Sequence, residues 1–158
     1  MPYLKKENEN FVLDLVGFFE DEYKEQVKEL EKHSIAHFYG FQSDPRPFYI
    51  EADCVVLPSY HEGMSNVILE AAATGRPVIT SNIPGCRESV ENGKSGLLVE
   101  VKNKEMLYDA MKEMLHCSRE EREQMGQAGR EKMEREFRKE VVVEKTVQSL
   151  REDEKRDF

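Results

Sequence analysis

Apolar positions along this chain fall into short runs separated by stretches of helical periodicity. Residues 11–16 (FVLDLV) form one such run, closed by Gly17, and read as a strand. Asp14 within it calls for an edge position or a partner. Residues 20–32 set Tyr23, Val27 and Leu30 at helical spacing among charges, the pattern of an amphipathic helix. A second strand covers 35–39 and stops at Gly40. Asp44-Pro45-Arg46-Pro47 opens a short helix, with Asp44 as N-cap and proline in the first turn. Residues 53–57 form a third, almost wholly apolar run, the pattern of a strand covered on both faces.

The stretch 57–79 (LPSYHEGMSNVILEAAATGRPVI) organises the rest. An apolar run ends at Leu57, a loop follows, a helix starts near Ser65 and closes at Gly75, and a fourth strand occupies 78–80. Asn82-Ile83-Pro84-Gly85 is a turn, and 87–91 read as one helical turn closed by Asn92-Gly93. Residues 96–99 form a fifth strand. Met106, Leu107, Ala110, Met111, Met114 and Leu115 mark one apolar face of a helix over 103–116, a core stripe rather than a binding groove. Ser118 and Glu121 have capping-box spacing at the start of a long charged helix that turns Met125, Ala128 and Met133 inward. Val141, Val142, Val143 and Val147 predict a last helix or a strand. Residues 1–10 read as the end of a helix and 151–158 as a charged, frayed tail. Strands alternating with helices predict an α/β fold, a Rossmann-like parallel sheet of about five strands with helices on both faces.

At 158 residues the chain is one domain. A net charge of −9 argues against binding nucleic acid or anionic membrane through bulk charge, though not against a local phosphate pocket. Cys54, Cys86 and Cys117 are odd in number and widely spaced, which fits reduced thiols in a cytosolic compartment better than a disulfide framework. No run approaches eighteen apolar residues, and the N-terminus lacks a signal-peptide core.

The candidate chemistry lies in the central stretch. A helix starting at Ser65 and Asn66 directs free N–H groups and its dipole into the preceding loop, which suits a phosphate; Ser65 equally reads as a simple cap. Gly63, lacking a Cβ, lets a ligand approach closely. Glu70 lies between Leu69 and Ala71, where a carboxylate needs hydrogen bonds; ribose hydroxyls would supply them, and a solvent-facing glutamate is the plain alternative. Glu62 fits sugar hydroxyls better than a diphosphate, which would repel it, or it is a surface loop residue. His33 and His37 lack metal-ligand company, and His61 either reaches the pocket or lines the loop. No Walker A, G-x-S-x-G or G-x-G-x-x-G motif occurs.

Several motifs taken in order resemble one family. PSYHEGMSNVILEAAATGRPVI resembles the E-x(7)-E region of retaining glycosyltransferases of the GT-B fold, with ADCVVLPS before it and GCRE and ENGKSGLLVEVKN after it. The resemblance runs from about Phe11 to Val147 and covers only the C-terminal, donor-binding half of that fold. It implies that Glu70 holds the ribose hydroxyls and that Glu62 contacts the donor sugar as the catalytic carboxylate. It also implies that Gly63, Met64, Ser65 and Asn66 hold sugar and diphosphate, and that Phe38, Tyr39, Gly40 and Phe41 lie near the base. The implied substrate is a nucleotide-diphosphate sugar, a UDP-sugar, used without a metal or other cofactor. The implied acceptor is a glycan or lipid-linked glycan, met in the cytoplasm or at the cytosolic face of a membrane. The acceptor domain is missing, as are the family's first donor-domain strand and its diphosphate-binding Arg and Lys; Lys5 and Lys6 do not match those. The resemblance therefore implies an acceptor domain or partner chain that supplies the rest, and a non-catalytic nucleotide-binding module or an inactive fragment are the competing readings.

Overall fold

The computed structural model describes residues 11–18 and 21–154. Strand β1 is Leu13–Val16, followed by a 3-10 turn at Asp21–Tyr23 and helix α1 at Lys24–Lys32. Then come β2 (Ala36–Gly40), α2 (Arg46–Glu51), β3 (Val55–Leu57), α3 (Asn66–Ala73) and β4 (Val78–Ser81). The chain continues through β5 (Gly96–Val99), α4 (Lys104–His116), α5 (Arg119–Glu136) and α6 (Lys139–Glu154). The predicted helical turn at 87–91 is instead part of a run of turns over 84–89. The last apolar segment is a helix, and it carries the predicted frayed tail as far as Glu154 in helical form. The segments 1–10 and 155–158 lie outside the described residues.

All pairings are parallel, as the alternation of elements requires, but the five strands do not form one ladder. β1 pairs with β2, and β3-β4-β5 form a separate sheet. One hydrophobic core joins the two pieces: Phe11 and Ile35, with Leu13 packed on them, meet Ile79, Leu97 and Val99 of the second sheet. Among the described residues one edge of β1 and one edge of β3 have no strand partner. β3 shows the effect, because Val55, Val56 and Leu57 are only half-buried whereas every residue of β4 is buried. β3 is packed on both faces as its apolar run predicts, Val56 against one core cluster and Val55 and Leu57 against the other, while one edge lacks a strand partner among the described residues.

Helices cover both faces. Val78 and Ile79 are neighbours on β4 and point to opposite sides. Ile79 packs with Leu30 of α1 and Met111 and Met114 of α4, and Val78 with Tyr49 of α2 and Ile68 of α3. In β1, Leu13 and Leu15 face inward while Asp14 is exposed beside His37, its register partner on β2, at 3.9 Å. Of the α4 stripe, Ala110, Met111 and Met114 are buried, but Met106 is exposed and its Sδ accepts the Glu100 N–H. Tyr23 lies on the surface rather than on an inward face of α1.

The capping box at Ser118 forms fully. The Ser118 hydroxyl accepts the Glu121 N–H and the Glu121 carboxylate accepts the Ser118 N–H at 2.7 Å. Those bonds, the backbone one first, hold the Glu121 carboxyl below the usual glutamate range. Its contribution is therefore present above the ordinary glutamate pKa and is lost as pH falls through the lowered value. Ser118→Ala should cost about 1 kcal/mol in urea denaturation at neutral pH. The difference from wild type should shrink in acid, and an equal difference at both pH values would contradict this.

α5 lies against α3 through small residues. Gly126 and Gly129 are buried beside Met133, while Met125 and Ala128 are only partly covered. A Cβ on Gly126 would overlap the carbonyl oxygen of Gly75, the residue that closes α3. Val142, Val143, Val147 and Leu150 of α6 are exposed. All three cysteines are free, and among the described residues no helix is long and apolar enough to cross a membrane.

Candidate nucleotide-binding site

Because the strands are parallel, their carboxyl ends and the loops after them lie on one side of the sheets, where α/β folds collect ligands. After β1 and β2 this edge is aromatic. Phe18, 85% exposed, stacks on Phe41 with ring centroids 5.2 Å apart and planes inclined by 9°. Tyr39, at the end of β2, meets Phe48 of α2 edge-on at 4.9 Å. Phe38 is partly covered, and its N–H donates to Glu31. Two exposed stacked rings lose apolar area to water and offer a flat face, suited to a planar base.

α2 links this edge to Glu70. Phe48 touches Tyr39, and the next residue, Tyr49, donates its hydroxyl to Glu70 Oε2 at 3.2 Å. Tyr49 is only 7% exposed and packs with Ile68, Ala71 and Cys86. Burial first, and then the Glu70 charge, push its hydroxyl pKa up to about 12, so it stays a donor. Glu70 itself is exposed rather than buried among its apolar neighbours. α3 is amphipathic enough to turn Glu70 outward while Ile68, Ala71 and Ala72 enter the core. The nearby Arg46 is engaged elsewhere, with Nε and a terminal nitrogen both 2.7 Å from the Asp44 carboxylate. Asp44 also accepts the Arg46 N–H, so it supports the start of α2 from one residue before the cap position, which Pro45 holds.

The loop into α3 carries the other candidates. Glu62 is half-buried and accepts the Ser59 hydroxyl at 2.7 Å. Ser65 holds the N-cap position, yet its side chain makes no capping hydrogen bond, and the residue is 3% exposed. Ser65 thus sits at the cap without capping through its side chain, and among the described residues the first-turn N–H groups of α3, from Asn66 onward, meet no side-chain acceptor. Met64 is fixed by a contact from the Ser89 hydroxyl to its Sδ at 3.5 Å. A Cβ on Gly63 would meet nothing within 4 Å, so this residue borders open space. His61 is exposed. The loop rests on Gly85, whose carbonyl accepts the Ser65 N–H at 3.5 Å and whose own N–H donates to Glu88 at 2.7 Å. Taken together, this edge offers an aromatic surface, an exposed carboxylate held by Tyr49, a half-buried carboxylate and an electropositive helix start.

The sequence profile of the family described as "Glycosyl transferases group 1" matches residues 1–132. The chain belongs to this family. The capsular polysaccharide biosynthesis glycosyltransferase CapM of Staphylococcus aureus is 33% identical over 102 residues, 65% of this chain and 27% of that protein. A Campylobacter jejuni N,N'-diacetylbacillosaminyl-diphospho-undecaprenol alpha-1,3-N-acetylgalactosaminyltransferase is 35% identical over 98 residues, 62% of this chain and 26% of that protein. Among solved structures, Anabaena HepE in complex with UDP superposes with a TM-score of 0.74 at 22% identity, over 88% of this chain and 40% of that one. The chain thus spans about a quarter of these two curated relatives. Its fold is that of one half of a GT-B glycosyltransferase, as the resemblance implied.

Some residues of this candidate site carry no mark in the sequence. Tyr49 lies 21 positions before Glu70, outside any helical or strand period. Ser59 and Phe18 are ordinary loop residues until the fold brings them to Glu62 and Phe41. Gly85 reads as a turn glycine, although its second role is to make room for Gly63.

Proposed function

We propose that this chain binds the nucleotide of a nucleotide-diphosphate sugar, as the donor-binding part of a glycosyltransferase that hands the sugar to a glycan or lipid-linked acceptor. The observation that carries the reading is the pairing made by α2: consecutive residues Phe48 and Tyr49 tie the aromatic edge to Glu70. A base against Tyr39, Gly40 and Phe41 would bring its ribose hydroxyls to Glu70 and direct its diphosphate toward the start of α3. The N–H groups of Asn66 and its neighbours then donate to the phosphate oxygens, and they stabilise the charge further as the diphosphate departs. Gly63, Met64 and Ser65 bound the space next to it. Glu62, oriented by Ser59, accepts hydrogen bonds from the donor sugar. UDP is the favoured nucleotide, in keeping with its presence in HepE, and transfer proceeds with retention. The acceptor wall and further diphosphate contacts come from an additional domain or a partner chain.

A second reading has its own support. The edges of β1 and β3, which have no strand partner among the described residues, go with a chain that binds nucleotide without catalysing transfer.

Thermal unfolding with millimolar UDP, GDP and ADP tests the binding. Saturation a hundredfold above Kd adds about 2.7 kcal/mol, or about 5–10 °C for a chain of this size. Glu70→Gln should remove most of the shift. No shift with any nucleotide would overturn the proposal; a shift without sugar transfer to a lipid-linked acceptor would leave the second reading.

A further inference from the structure

Resting on the assignment of Glu70 to the ribose, we infer that Tyr49 is the positioning residue of the nucleotide site: it does not touch the ligand but holds the Glu70 carboxylate in its ribose-binding orientation. Glu70 is an exposed side chain on α3 with several rotatable bonds. A carboxylate that must receive two vicinal hydroxyls has to stop rotating, and a free glutamate would lose that freedom on each binding event. The Tyr49 hydroxyl, 3.2 Å from Oε2, restricts it beforehand and leaves Oε1 free for ligand.

The support behind that hydroxyl is rigid. Tyr49 is buried, and its ring is packed among Ile68, Ala71, Val78, Cys86 and Val90. Those residues come from α3, β4 and the turns after β4, so the position of the hydroxyl is fixed by several elements at once. The nearby cation Arg46 is bound through two nitrogens to Asp44. Tyr49 is the side chain that donates to this carboxylate among the described residues. Its neighbour Phe48 fixes Tyr39, so α2 sets the spacing between the base and ribose ends of the site.

The test compares UDP with 2′,3′-dideoxy-UDP by calorimetry on wild type, Tyr49→Phe, Glu70→Gln and the double variant. Tyr49→Phe keeps the packed ring and removes only the donor. It should weaken UDP about five- to tenfold, the scale of re-freezing one rotamer-rich side chain. It should leave 2′,3′-dideoxy-UDP unchanged, since that ligand has no hydroxyls for Glu70 to hold. In the Glu70→Gln background the tyrosine change should weaken UDP far less than in wild type. Equal weakening of both ligands would mean that Tyr49 acts through helix packing and would overturn the inference, as would unchanged UDP affinity. Wild type that binds the two ligands equally would instead remove the ribose assignment of Glu70, and the inference with it.

Discussion

Gly85→Ala should abolish nucleotide binding and lower the thermal midpoint by about 10 °C, a cost of about 3–4 kcal/mol. Gly85 has φ +84, where a side chain adds about 1–2 kcal/mol of backbone strain. The larger cause is contact. The new Cβ would overlap the Gly63 carbonyl oxygen and lie 2.6 Å from its carbonyl carbon and 2.8 Å from the Glu62 carbonyl oxygen. All three atoms are backbone, so no rotamer change relieves the clash. The loop carrying Glu62, Gly63 and Met64 has to move bodily, and the carboxylate and the approach to α3 move with it. Gly63→Ala is the matched control. Its Cβ enters open space, so the midpoint should change little while UDP affinity falls, because that space is where the donor would lie. Retention of full UDP affinity by Gly85→Ala would refute this account of the loop.

Gly126→Ala should destabilise the chain by about 2–3 kcal/mol, against the direction that helix propensity alone gives. Alanine inside a helix is favoured over glycine by about 1 kcal/mol. Here the added methyl would overlap the carbonyl oxygen of Gly75 and sit 2.6 Å from the Gly75 carbonyl carbon. α5 would have to lift from the end of α3, opening the packing around Gly129 and Ala72, where an added Cβ would stand 3.6 Å from the Ala72 Cβ. Urea denaturation of the variant gives the sign directly. A midpoint equal to or above wild type would show that α5 is free to shift.

These two glycines mark the limit of reading the chain alone. Apolar runs located the strands, and helical spacing or end signals located the helices that frame the site, even where, as in β4, both faces are buried. The start of α3, the ends of β2 and β3, and the capping box at Ser118 followed from local chemistry. Contacts between distant segments did not. Tyr49 with Glu70, Gly85 with Gly63 and Gly126 with Gly75 each join residues at least twenty positions apart, and no local period encodes them. Glu70 was legible as a candidate for the wrong reason: its apolar sequence neighbours turn inward while it faces solvent. The division of the sheet is not written in the apolar runs, which are similar in both pieces; only the resemblance, which lacks the family's central first strand, pointed to it.

That division has a mechanical consequence. A β-ladder resists sliding because its hydrogen bonds are short and directional, whereas apolar side chains exchange neighbours with a smaller penalty. The half bearing Tyr39 and Phe41 meets the half bearing β3 to β5 through the side chains of Phe11, Ile35, Ile79 and Leu97 and through the α2 contacts of Phe48 with Tyr39 and Tyr49 with Glu70, without a shared ladder among the described residues. Small displacements between them break no inter-strand bond. The distance from the aromatic edge to the start of α3 is therefore set by side-chain contacts, those of α2 and of a few core residues, and not by a ladder.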